Sequence, residues 1–198
     1  MQIKVPPGNN DDLREARVQR LVAFATASME GAAGTGGING EMTILAVARS
    51  GESPVARALI ALRPVLAAGG VKVRVVFSDE DATIDPFVAG SDDGCALGLP
   101  EMRIVRDSRL REAHEQLIVG RVSVWFGDCL RRDIHRRDLF EQYLADAPEA
   151  AAAAARAFEQ LWSRTEPCLT LAALASDSLT ALAGRKPGNA GPTGTALC

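Results

Sequence analysis

The residues best suited to chemistry lie between positions 114 and 137. His114 is one of two histidines in the chain. Imidazole changes charge near neutral pH and can act as nucleophile, proton carrier or phosphate ligand. The residue also precedes an apolar run, which equally fits a hydrogen-bonded position at a strand entrance. Arg131, Arg132, His135, Arg136 and Arg137 form the densest positive cluster. Arg131 and His135 share one helical face, as do Arg132 and Arg136, at i,i+4 spacing. Guanidinium groups grip phosphate oxygens through paired donors, so the cluster suits a phosphate group or a nucleic-acid backbone. Asp133 and Asp138 offer the alternative of local pairing on a solvated face.

Other motifs point away from chemistry. The glycine-rich stretch 31–40 (GAAGTGGING) lacks the Gly-Lys-Ser/Thr ending of a phosphate-cradling loop, and no strand leads into it; it reads as a connector. Asp79, Glu80, Asp81, Asp85, Asp92 and Asp93 have no calcium-loop spacing and read as a solvated excursion. Cys95, Cys129, Cys168 and Cys198 form no Cys-x-x-Cys pair, so no zinc ribbon or dithiol motif is present. Reduced thiols in the cytosol follow most simply. No metal site and no cofactor are expected.

The elements that must position these residues follow from periodicity. Asp11 to Glu30 reads as a helix with Leu13, Ala16, Leu21, Phe24 and Ala25 inward. Met42 to Ala48 is an apolar run of strand length. Pro54 suits the first turn of a helix running to Ala68, with Val55, Leu59, Leu62 and Leu66 on one stripe. Gly69-Gly70 stops it, and Val71 to Phe77 alternates as a second strand. This is a βαβ unit, which requires parallel strands and a right-handed crossover. Residues 78–100 read as a long surface excursion, and Met102 to Val105 as a short strand. Glu115 to Val119 and Arg121 to Phe126 read as a hairpin joined at Gly120, its alternation placing Trp125 with Ser123 and Val124 with Phe126. Ile134 to Ala145 reads as a helix. A further helix runs from Pro148 to about Arg164, with Phe158, Leu161 and Trp162 inward. Leu169 to Leu182 reads as one more.

This order is similar to one repeat of the phospholipase D superfamily over residues 42–145. Gly70-Val71-Lys72-Val73-Arg74 resembles that family's Gly-Val-x-Val-Arg strand. The segment from His114 to Asp128 resembles its His-x-Lys-x4-Asp motif, the strand after it and the following Gly-Ser. The resemblance implies that His114 occupies the nucleophile position. It also implies that Gln116 stands where a phosphate-binding Lys belongs, that Asp128 replaces a Ser, and that the motif's Asp has no counterpart before Gly120. Leu130 or Arg131 falls where an Asn is expected, and Glu141 aligns loosely with a family Glu. Family enzymes use two histidines, so a single repeat would need a symmetric homodimer. The implied fold is α/β: a mixed central sheet flanked by helices, with a helical C-terminal third. One such domain is expected over 1–183, with a flexible tail over 184–198.

The bulk numbers set limits. Apolar residues are 47% and charged residues 24%, ordinary globular usage, and a net charge of −3 excludes a general polyanion binder. The N-terminal residues lack the apolar core of a secretory signal, and the stretch 169–182 is too short to span a bilayer. A cytoplasmic protein without a membrane span is expected. The favoured function is non-catalytic binding or regulation. One alternative is a homodimeric phosphodiesterase using His114 from each subunit. Another is a nucleic-acid- or phosphate-binding module using the Arg131–Arg137 cluster; the candidate binding residues are Gln116, Asp128, Arg131, Arg132 and Arg136.

Overall fold

The computed structural model describes residues 10–34, 42–79, 100–111, 113–127 and 141–168. Most of the stretch 31–40, the excursion 80–99, the basic stretch 128–140 and everything after Cys168 lie outside the described residues. Helix α1 spans Asn10–Gly34, β1 Thr43–Ala48, α2 Pro54–Ala68, β2 Lys72–Phe77, β3 Glu101–Ile104, β4 Glu115–Val119 and β5 Ser123–Gly127. Then come β6 at Glu141–Leu144, α3 at Pro148–Trp162 and the two-residue β7 at Glu166–Pro167. The strands form one mixed sheet in the order β6-β5-β4-β1-β2-β3-β7. β1, β2 and β3 run parallel, and β4, β5, β6 and β7 join antiparallel to their neighbours.

Each face of the sheet carries its own core. Val18, Leu21 and Ala25 of α1 and Val55, Leu59, Leu62 and Leu66 of α2 pack against Ile44, Ala46, Val75, Leu117 and Trp125. On the other face Ala151, Ala154, Phe158 and Leu161 of α3 pack against Leu45, Val47, Val76, Ile118 and Val124. β1 is apolar throughout because it is covered on both faces. The α2 stripe lies inward as its periodicity requires. Its start is fixed by Ser53, whose Oγ accepts from the Ala56 N–H at 3.5 Å, and by Pro54 in the first turn. Its end is the left-handed Gly70, φ +60°, with the Val71 N–H returning to the Leu66 carbonyl at 3.0 Å.

α3 is held at its C-terminal end by two arginines. Arg74 pairs with Glu159 and its guanidinium lies 4.1 Å from the Trp162 ring centre. Arg103 lies 4.7 Å from the same ring and donates to the carbonyls of Trp162 and Thr165 at 3.0 and 3.1 Å. The Trp162 carbonyl ends the helix and accepts as well from the Thr165 N–H and hydroxyl, and a cation there suits the helix dipole.

Three features differ from the sequence-based expectation. Residues 141–145 belong to no helix; Glu141–Leu144 is a strand paired with β5 from Val124 to Gly127. Helix propensity is a weak preference, and the open β5 edge together with ion pairs to Glu141 outweighs it. On α1, Ala16 is exposed and its neighbour Arg17 is buried instead, at 7% exposure. β7 was not anticipated. Its Pro167 has no N–H to offer, which suits an edge strand.

Candidate functional site

The candidate site lies at one end of the sheet, where β1 to β3 and β5 finish and β4 and β6 begin. β4 runs antiparallel to β1, so Gln116 faces Val47 across the ladder. His114 stands just before β4 and is exposed. Alternation sends Glu115 to the α1 side with Leu117, and Gln116 to the α3 side with Ile118. Gln116 is 8% exposed, and Glu115 is fully buried. One Glu115 carboxylate oxygen accepts from the Arg49 N–H at 3.1 Å, which ties the end of β1 to the start of β4.

A second buried carboxylate lies two strands away. Glu115 is in register with Gly127, and Gly127 with Glu141. Gly127 has no side chain for a specific reason: a Cβ there would sit 2.4 Å from the Trp125 indole, which folds along its own strand over the glycine. Glu141 is 1% exposed and receives three donors. Arg17 and Arg20 of α1 form ion pairs with it, the second at 3.2 Å, and the Tyr143 hydroxyl donates at 3.3 Å. Tyr143 in turn meets Phe24 edge-on at 5.4 Å and Trp125 at 6.3 Å between ring centres.

These neighbours tune one another. Burial raises the Tyr143 phenol above its ordinary value, and the Glu141 charge adds to the rise against the opposing Arg20. Burial pulls Arg20 down, but its hydrogen bond to Tyr143 and the Glu141 charge outweigh that and leave it raised. Arg20 therefore stays charged, and the network is a buried ionic clamp between α1 and β6.

The residues named from the sequence are only partly brought together. His114 and Gln116 lie at the same strand end in unlike surroundings, one exposed and one buried. Asp128, Arg131, Arg132 and Arg136 lie outside the described residues. The residues flanking that stretch, Gly127 and Glu141, are register partners at this same end. Sequence reasoning missed Glu115, Arg17, Arg20 and Tyr143. One signal was legible: Arg17 and Glu115 are charges at positions where the apolar pattern turns inward. Among the described residues no group of three or more metal-ligating side chains converges, and no helix is long and apolar enough to cross a membrane.

No protein-family model matches the sequence, and no curated protein does. Among solved structures the chain is similar to NucT from Helicobacter pylori at 10% identity and a TM-score of 0.51, over 85% of this chain and 98% of that one. It is also similar to Nuc from Salmonella typhimurium, a phospholipase D family member, at 14% identity and a TM-score of 0.48, over 75% of this chain and 90% of that one. A third is TrmBL2, an archaeal chromatin protein with a novel mode of DNA binding, at 19% identity and a TM-score of 0.45; 64% of this chain and 45% of that one are covered. At such identities the likeness is one of fold alone: a mixed α/β sheet with helices on both faces, shared with NucT.

Proposed function

We propose that this phospholipase D-like domain works by binding a phosphate-bearing ligand and not by hydrolysing one. The observation that carries the reading is Gln116, a neutral amide held in a nearly closed strand position where the resemblance calls for a lysine. Phosphoryl transfer spreads negative charge over the phosphoryl oxygens, and cationic donors must meet it. Losing one such donor costs about 10²–10³ in rate. Binding needs less, and Arg131, Arg132 and Arg136 form the recognition stretch in this reading.

The test combines turnover of a chromogenic phosphodiester with phosphate binding by calorimetry, in the cytosolic pH range. The expected result is phosphate binding that Arg131→Ala and Arg132→Ala weaken, with no turnover above that of His114→Ala. Turnover that His114→Ala abolishes would overturn the reading. The exposure of His114 favours the second reading, a homodimeric phosphodiesterase in which two copies bring their histidines together. A strict monomer in light scattering removes it. A nucleic-acid ligand predicts binding to a mixed-sequence oligonucleotide that falls steeply with salt.

A further inference from the structure

We propose that β6 is a conditional strand, clamped to the sheet by α1 and able to open while β1 and β2 remain folded. The inference is independent of the phosphate reading.

Three observations work against β6 staying in place. Its residues and the next, Glu141-Gln142-Tyr143-Leu144-Ala145, are helix formers apart from Tyr143 and include no β-branched side chain. The strand β5 beside it, by contrast, carries Val124, Trp125 and Phe126. β6 is also the last strand of its side of the sheet and is paired to β5 alone among the described residues. Asp146, which turns the chain from β6 into α3, sits at φ +50° and is the one non-glycine residue with positive φ among those described. A side chain is disfavoured there, although Asp tolerates it better than most.

Besides its ladder to β5 and Leu144 on the α3-side core, β6 is held by α1. Arg17 and Arg20 reach Glu141 at its first residue, and Phe24 packs on Tyr143 at its third. The clamp is therefore directed at a strand whose own sequence does not favour it. Opening β6 would remove Tyr143 from Trp125, now fully buried, and bare the outer edge of β5 up to Gly127. Glu141 is also where the chain re-enters the sheet after the basic stretch 131–137, so the clamp fixes one root of that stretch.

Native-state hydrogen exchange on the full chain tests this. In the wild type, the β6 amides should exchange faster than those of β1 and stay insensitive to low urea, whereas β1 exchange should rise with urea. Leu59→Val, in the core that α1 and α2 form on the sheet, lowers global stability; it should speed β1 exchange, which needs global opening, and leave the local opening of β6 unchanged. Asp146→Gly should slow β6 exchange about fivefold by removing the left-handed penalty. Arg20→Met, at a side chain 30% exposed, should speed it about tenfold. If β6 and β1 show the same protection and the same urea slope in the wild type, the strand opens only with the whole sheet and the proposal fails. Joint movement of β6 and β1 in Leu59→Val would refute it as well. Should that variant not fold, the wild-type urea dependence decides alone.

Discussion

Arg17→Met is the most informative single perturbation of this fold. Arg17 enters the protein interior to meet Glu141, and their side chains are 9% and 0% exposed. Methionine keeps much of the aliphatic volume and removes the charge. Glu141 then retains Arg20, which is 30% exposed, and the Tyr143 hydroxyl. Removing one partner of a buried ion pair leaves the other charge undercompensated and costs about 3–5 kcal/mol. The surviving donors place the expected loss near the lower end, about 3 kcal/mol. For a domain of this size that lowers Tm by roughly 6–12 °C. Urea denaturation should show the same loss as a midpoint about 1.5 M lower at unchanged slope. The double variant Arg17→Met with Glu141→Leu is the control: replacing both charges by apolar groups should recover most of the loss, since a buried pair is rarely much better than a good apolar contact. An Arg17→Met effect within about 0.5 kcal/mol of wild type would refute the claim that the ionic clamp holds α1 to the sheet.

Three further outcomes follow. Tyr143 is the single tyrosine, so its phenolate absorbance titrates alone; it should ionise above the ordinary value of 10.0, and Glu141→Gln should bring it down. Its folded pKa exceeds the unfolded one, so its contribution is complete below the unfolded value and is lost as pH rises through the folded value; chemical denaturation across alkaline pH reads that slope. Gly127→Ala places a methyl against the Trp125 ring and should cost about 1–3 kcal/mol, with a changed near-ultraviolet dichroism from the displaced indole. Gln116→Lys buries an ammonium in a position only 8% exposed, so thermal melts should show a loss, and added phosphate should restore part of it if the site takes an anion.

The parts of the fold set by local pattern were legible in the sequence. The β1–α2–β2 unit, the β4–β5 hairpin and α3 declare themselves through apolar periodicity, Pro54 and Pro148 in first turns, and glycines where the chain reverses. Gly120, φ +62°, marks the hairpin turn as its position between two apolar runs suggests. What could not be read locally depends on distant partners. β6 looks helical until β5 offers it an edge, and Glu141 looks solvated until Arg17 and Arg20, from a helix near the start of the chain, reach it. The site was half legible for the same reason. His114 and Gln116 follow from a motif, whereas the pairing of Glu115 with the Arg49 N–H depends on the antiparallel placement of β4 beside β1.

The two tryptophans sit in different cores, Trp125 beneath α1 and Trp162 as the last residue of α3, in contact with Arg74 and Arg103. The molecule thus carries one native fluorophore for each layer that covers its sheet. Trp125 is sealed over Gly127 beside Tyr143, while Trp162 is only partly buried and lies against two guanidinium groups, so their emission should differ in sensitivity to ionic quenchers. Single-tryptophan variants, Trp162→Phe and Trp125→Phe, would let each layer be followed separately as the protein melts or takes up a ligand. A ligand that acts through the strand end on the α3 side would then be distinguished from one that loosens α1 by which emission band it moves.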